Sequence, residues 1–118
     1  MGRSTQETLV AFWAASGNAD MPGVVASYAH DAILLTGGRA YIGKGAIQEL
    51  FEGWYAAASE ETLVTDSRVM EGDIAMTEWH SQNDADKTIE SGADTYLVRD
   101  GLIQGQTISF IRREEQGQ

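Results

Sequence analysis

The chain has 118 residues, with 18 acidic and 8 basic side chains and a net charge of −10. This length fits one hydrophobic core, so we expect residues 1–118 to form a single domain. The acidic balance argues against a nucleic-acid or anionic-membrane partner, because both require a basic face. The absence of cysteine excludes disulfides, thiolate catalysis and cysteine-ligated metals.

Targeting and metal signals are weak in this sequence. Residues 1–6 carry no apolar signal core, and no apolar run approaches the roughly 20 residues of a membrane span. We therefore expect a cytoplasmic protein. With only two histidines and no cysteine, we expect neither a transition-metal site nor a cofactor.

Two helices are predicted at the N-terminal end. The first covers residues 4–16, with Ser4 as its N-cap. The second covers residues 20–29, where Asp20 can cap the helix and Tyr28 lies on its apolar face. A short strand, a Gly37-Gly38 turn and a returning strand follow over residues 32–42.

The strongest helical pattern covers residues 45–59, where one apolar stripe is formed by Ile47, Leu50, Phe51, Trp54, Tyr55 and Ala58. The remaining sequence alternates with a period of two and predicts strands over 63–70, 74–82, 90–99 and 102–112. Their joints are a turn at residues 71–73, a polar stretch at 83–88 and the Asp-Gly turn at 100–101. Helices followed by a meander predict an α+β fold with the helices on one face of an antiparallel sheet.

Three segments resemble the nuclear-transport-factor-2-like superfamily, which includes SnoaL-like polyketide cyclases, ketosteroid isomerases and limonene-epoxide hydrolases. They are NADMPGVVASYAHDA at 18–32, YIGKGAIQELF at 41–51 and YLVRDGLI at 96–103. The resemblance implies three helices packed on a strongly curved mixed or antiparallel sheet. This sheet forms a cone with an internal apolar pocket. The resemblance also implies a homodimer formed through the outer sheet face.

The catalytic residues of two related enzyme groups are incomplete here. In the ketosteroid-isomerase alignment the proton-moving Asp falls on Thr36, the oxyanion Tyr on Phe12 and the oxyanion Asp on Asp94. In the limonene-epoxide-hydrolase alignment the Arg falls on Trp79 and an Asp on Ser81. Neither mechanism is therefore expected, and Asp94 is the candidate catalytic residue that is left.

Asp94 has two interpretations at this stage. A carboxyl group in an apolar pocket has its ionised form disfavoured, so Asp94 is predicted to act as an acid or a hydrogen-bond donor. The alternative is a structural residue that bonds to nearby backbone. Candidate substrate contacts on the surrounding elements are Phe12, Trp13, Tyr28, Thr36, Tyr41, Phe51, Trp79 and Tyr96.

Two pairs of an acidic residue and a histidine are close in the sequence, and for both we favour a structural over a catalytic role. Glu78 and His80 share one strand face, which the resemblance places outside the cone; a register slip of one residue would turn both inward. Asp31 is expected to accept backbone hydrogen bonds, with His30 exposed beside it.

Three functions remain open. The first is a cofactor-independent isomerase, lyase or cyclase acting on a small apolar metabolite through Asp94. The second is a binding module for an apolar ligand without chemistry. The third is a homodimerisation domain that works through its outer sheet face.

Overall fold

The computed structural model describes residues 3–57, 62–82 and 88–112. Over these ranges the elements are α1 (Thr5–Gly17), α2 (Met21–Ala26), β1 (Tyr28–Thr36), β2 (Arg39–Ile42), α3 (Lys44–Ala57), β3 (Thr62–Glu71), β4 (Ile74–Gln82), β5 (Thr88–Arg99) and β6 (Leu102–Arg112). The strands form one sheet in the order β2-β1-β6-β5-β4-β3. Strand β1 runs parallel to β6, and the other neighbouring pairs are antiparallel. The predicted α+β class, with helices on a curved mixed sheet, is confirmed.

Local sequence signals determine how the first two helices begin. The Ser4 hydroxyl accepts a hydrogen bond from the Glu7 backbone N–H at 3.0 Å, and the Glu7 carboxylate accepts one from the Ser4 N–H at 2.8 Å. This capping box satisfies two otherwise unpaired donors. The Asp20 carboxylate accepts from the Gly23 N–H at 3.2 Å and begins α2 in the same way.

The predicted end of the second helix is wrong. Helix α2 ends at Ala26, and Tyr28 is the first residue of β1 rather than part of a helical face. The cause is pairing with a distant strand, because the Ile103 N–H donates to the Ser27 carbonyl at 2.8 Å and Tyr28 lies opposite Ile103. The predicted end of the third helix, at residue 59, lies outside the described residues, as does most of the polar joint at 83–88.

Two tight hairpins follow the predicted turns. Gly37 and Gly38 join β1 to β2 with φ of 59° and 75°, and Asp100 and Gly101 join β5 to β6 with φ of 53° and 76°. Positive φ at both central positions twists the chain to match the flanking strands. The last strand is thereby held beside β5 and carries its inward side chains to the same face.

The helices cover one face of the sheet, which we call the concave face. The core beneath them contains Leu9, Phe12, Val24, Tyr28, Leu34, Ile47, Phe51, Tyr96, Val98 and Ile103. On the opposite, outer face Ile33, Leu35 and Ile42 stay exposed. No helix in the described ranges is long and apolar enough to cross a membrane.

Candidate functional site

Asp94 lies on the concave face, in the middle of β5. Its register partners are Thr77 on β4 and Ile108 on β6, and both of those side chains are buried under the helices. Alternation along the strand places Asp94 on the same side as Tyr96 and Val98. The carboxyl group itself is half-buried. It is therefore a polar group at the margin of an apolar core.

Three side-chain donors converge on this carboxyl group. The Trp79 Nε1–H donates to Oδ1 at 2.8 Å. The Tyr96 hydroxyl and the Gln106 amide both donate to Oδ2 at 3.0 Å. Because an oxygen of a carboxylate accepts about two hydrogen bonds, Oδ2 is saturated while Oδ1 has one position left.

A second layer of hydrogen bonds fixes the direction of these donors. The Trp13 Nε1–H donates to the Tyr96 hydroxyl at 3.3 Å, which leaves the Tyr96 proton for Asp94. The Tyr28 hydroxyl donates to the Gln106 amide oxygen, which turns the amide nitrogen toward Asp94. We call these six residues — Trp13, Tyr28, Trp79, Asp94, Tyr96 and Gln106 — the Asp94 cluster.

Burial and hydrogen bonding act in opposite directions on the pKa of Asp94. Burial disfavours the charged form and raises the pKa, whereas the bonds from Trp79, Tyr96 and Gln106 lower it. Burial is the larger effect, so the pKa of Asp94 lies above its ordinary value. Burial, followed by the nearby Asp94 charge, also raises the pKa of Tyr96, which keeps its proton at neutral pH. Of Asp94 and Tyr96, the Asp94 carboxyl group is therefore the one that can exchange a proton.

Gly92 makes room for the indole ring of Trp79. A Cβ at Gly92 would approach the Trp79 Cζ2 atom to 2.7 Å and the Ser109 carbonyl oxygen to 2.6 Å, both closer than real contacts. Trp79 on β4 lies opposite Gly92 on β5, so its indole ring can pack over the glycine. In this position its Nε1–H donates to Asp94. Phe110, opposite Gly92 on β6, packs against the same ring at 6.3 Å.

The predicted aromatic contacts separate into two groups. Phe12 packs edge to face on Tyr28 at 5.6 Å and on Phe51 at 6.2 Å, and all three side chains are buried. They form the floor of the concave face. Trp13 and Trp79, in contrast, are half-buried and lie at its margin.

The predicted contacts on β1 and β2 lie farther from Asp94. The Thr36 hydroxyl is buried and donates to the Ile108 carbonyl at 2.8 Å. Tyr41 is opposite Leu34, on the edge strand beyond β1. Both residues are separated from Asp94 by β6, and neither belongs to the Asp94 cluster.

Glu78 and His80 lie on the outer face, as the sequence interpretation favoured. His80 Nδ1 contacts the Asp66 carboxylate at 2.9 Å, and the Ser67 hydroxyl donates to Glu78 at 2.8 Å. The bond to Asp66 is the largest of the effects that raise the pKa of His80. This pair does not face the Asp94 cluster.

Asp31 and His30, the second pair of an acidic residue and a histidine, are both exposed. Asp31 accepts a hydrogen bond from the Gln104 amide at 2.9 Å, which lowers the pKa of Asp31. His30, beside it, is exposed. The arrangement supports the structural interpretation of Asp31, with a side chain of β6 as its partner.

Sequence reasoning missed Gln106 and Arg68. Gln106 is buried and lies opposite Tyr96. The sequence feature that could have identified it is its spacing from Ile108, because residues two apart on a strand share a face and a polar residue on an apolar face is unusual. Arg68 places its guanidinium 3.9 Å from the ring centre of Trp13. No sequence signal marked it, because its inward position depends on the register of β3 opposite Thr77.

Two surface concavities lie away from the Asp94 cluster. One is between α1, α2 and the β5–β6 turn, and the other is at the ends of β1, β2 and β6, where it includes Thr36. Neither contains a carboxyl group with comparable donor convergence. We therefore place the candidate site at Asp94 on chemical grounds.

Comparison with known proteins gives a consistent family and fold. A family model described as a SnoaL-like domain matches residues 9–106. No curated protein matches the chain in sequence. A nuclear-transport-factor-2-like protein of unknown function from Burkholderia xenovorans superposes with a TM-score of 0.75 at 21% identity, over 94% of this chain and 85% of that one.

Two further structures carry functional descriptions. A ketosteroid isomerase-like protein from Erwinia carotovora superposes with a TM-score of 0.67 at 20% identity, covering 93% of this chain and 95% of that one. A candidate polyketide cyclase from Sinorhizobium meliloti gives 0.72 at 17% identity, covering 86% and 93%. At these identities the likeness establishes the fold.

Proposed function

This chain belongs to the SnoaL-like domain family, and on that basis we propose that it is a cofactor-independent enzyme of the isomerase, lyase or cyclase type acting on a small apolar metabolite. The observation that carries the proposal is the convergence of three donors on Asp94 at the margin of an aromatic core. Similarity to a ketosteroid isomerase-like protein and a candidate polyketide cyclase supports this reaction class.

In the proposed reaction Asp94 moves the proton. Its Oδ1 atom, which accepts a hydrogen bond from Trp79 alone among the described residues, takes a proton from a carbon next to a substrate carbonyl. The electron pair of that C–H bond moves to the carbonyl oxygen as an enolate forms. The protonated carboxyl then returns the proton to the enolate at another carbon, or at a leaving group. A pKa raised by burial favours this use, because the carboxyl group can both hold and release the proton.

The experiment is deuterium exchange into a panel of apolar ketones in D₂O, followed by proton NMR. We expect the wild-type protein to accelerate exchange next to the carbonyl, and Asp94→Asn to lose roughly 10²-fold or more of the rate. Glu78→Gln, a carboxyl change on the outer face, is the matched control and should keep the rate. Equal exchange with wild type and Asp94→Asn would remove Asp94 from the reaction.

Binding without chemistry is the second candidate function. The observation favouring it is that the catalytic sets of the ketosteroid isomerases and of the limonene-epoxide hydrolases are both incomplete in this chain, with Thr36 and Trp79 at two of their positions. A ketone that binds without any exchange in the wild-type protein would favour this function.

A homodimer through the outer sheet face remains a proposal for the quaternary structure. It is supported by exposed apolar side chains on neighbouring strands of that face, with Ile42 at 66% and Ile33 at 44% exposure. Sedimentation equilibrium tests it directly, and a wild-type monomer at micromolar concentration would exclude it.

A further inference from the structure

Arg68 is a cation on the concave face of an otherwise acidic protein. Strand β3 places it opposite Thr77, which in turn lies opposite Asp94 on β5. The three residues therefore form one row across three strands. With neighbouring strands about 4.8 Å apart, the Cα atoms of Arg68 and Asp94 are separated by roughly 10 Å.

The guanidinium of Arg68 is held by stacking rather than by a carboxylate. It lies 3.9 Å from the ring centre of Trp13, and its remaining polar contact is a long one of 3.5 Å to the Thr65 hydroxyl. Within the described ranges no carboxylate lies within 4.0 Å of it. Arg99 and Arg112, by comparison, lie 4.0 Å from Asp73 and 3.2 Å from Glu90.

The surface on which Arg68 stacks is fixed by the Asp94 cluster. Trp13 is oriented by its hydrogen bond to Tyr96, and Tyr96 is oriented by its bond to Asp94. Arg68 therefore has a defined position relative to the candidate reacting carboxyl. Apart from the long contact to Thr65, its N–H donors have no partner among the described residues. They can therefore receive a planar anion, which a guanidinium binds through two parallel hydrogen bonds.

Two aromatic side chains lie in the next inward row of the sheet, beside the row of Arg68, Thr77 and Asp94, and Thr65, which contacts Arg68, is opposite the first of them, Trp79. Trp79 is half-buried, and Phe110, which packs against it, is 41% exposed. A flat apolar molecule could lie along these two rings, on the same face as Asp94. Arg68 is then the polar group at one end of this surface.

We propose that Arg68 binds the carboxylate of the substrate, so that the ligand is a planar apolar molecule carrying one carboxylate group. This inference rests on the function proposed for Asp94 and specifies the substrate class. With its carboxylate at Arg68, the ligand would have its reacting carbon at Asp94, in the same row of the sheet and two strands away. The ligand charge would stay at the exposed Arg68 and away from the half-buried Asp94.

Two probes that differ only in charge can show whether this surface binds a carboxylate specifically or any apolar molecule. Naphthoate and its neutral amide, naphthamide, have the same ring body and differ in the charged group. Calorimetric titration of the wild-type protein should show naphthoate binding more tightly than naphthamide. Arg68→Gln should weaken naphthoate about tenfold, as expected for a lost charge-assisted pair, and leave naphthamide unchanged.

Arg99→Gln is the matched control, since it removes one positive charge at the far end of β5. It should leave the affinity for naphthoate unchanged. Unchanged naphthamide binding also shows that the Arg68 variant is folded. Equal affinity of the wild type for both probes, no binding of either, or an equal loss in the Arg99 variant would each overturn the proposal.

The two proposals fail in different ways. Loss of the naphthoate preference in Arg68→Gln with no ketone exchange by the wild type would retain the carboxylate site and reject the reaction. Ketone exchange that depends on Asp94, with no preference for naphthoate, would retain the reaction and reject the carboxylate site.

Discussion

Replacement of Trp79 by Phe tests how the environment of Asp94 sets its acidity. The change removes the Nε1–H that donates to Oδ1 at 2.8 Å while keeping an aromatic ring over Gly92. A hydrogen bond to a charged group stabilises by about 1.5–3 kcal/mol, and one to a neutral group by about 0.5–1.5 kcal/mol. The ionised form therefore loses about 1–1.5 kcal/mol more than the protonated form, which corresponds to about one pH unit.

We therefore expect the pKa of Asp94 to rise by about one pH unit in Trp79→Phe, above its already raised value. Carbon-13 NMR titration of the labelled carboxyl group measures it, with Asp94→Asn to assign the signal. Trp54→Phe is the control, because Trp54 packs on Phe51 at 5.1 Å and makes no bond to Asp94. An unchanged or lower pKa in Trp79→Phe would refute the assigned role of this donor.

Two further predictions concern stability. The hydrogen bond with Asp66 raises the pKa of His80 in the folded protein. The contact between the two side chains therefore stabilises the folded state fully at a pH below the unfolded pKa of His80, near 6.5. This stabilisation is lost as the pH rises through the folded pKa. Urea unfolding should therefore show a deficit for His80→Gln that is larger at pH 5.5 than at 8.5, and a pH-independent deficit would contradict this. Gly92→Ala should cost about 1–3 kcal/mol because its Cβ would overlap with backbone and Trp79. The control Gly53→Ala, in open space on α3, should stabilise by about 0.5–1 kcal/mol, and equal unfolding midpoints for the two glycine variants would disprove the overlap.

Features encoded by neighbouring residues were predictable from the sequence. The Ser4 capping box, the Asp20 cap and the two hairpin turns each depend on a few adjacent residues, and each forms as expected. These signals are local, so no knowledge of distant partners was needed. Period-two alternation put Glu78 and His80 on one face of their strand, but it was the family resemblance that placed this face outside the cone and Asp94 inside it.

Features that depend on distant pairing were not predictable in the same way. The start of β1 at Tyr28 depends on pairing with Ile103, which lies on β6 and far from Tyr28 in the sequence. The contact between Gln106 and Asp94 depends on the register of β5 and β6. Alternation gives the face of each side chain, but register decides which side chains on that face meet.

The role of Asp94 stays a prediction, and its environment combines a feature of each interpretation drawn from the sequence: burial, which raises the pKa, and hydrogen bonds from neighbouring groups, which lower it. A purely structural carboxylate bonded by three donors would have a lowered pKa, and a neutral acid serving as a permanent hydrogen-bond donor would need acceptors rather than donors around it. Here three donors face the carboxyl group, yet burial still keeps the pKa of Asp94 above its ordinary value. Burial and the three donors therefore act in opposite directions on this carboxyl group, and Oδ1 accepts one hydrogen bond from the described residues, which leaves it a position for a proton. This balance suits a group that takes up a proton and returns it, which is why the proposed reaction is a proton transfer and not stabilisation of an oxyanion.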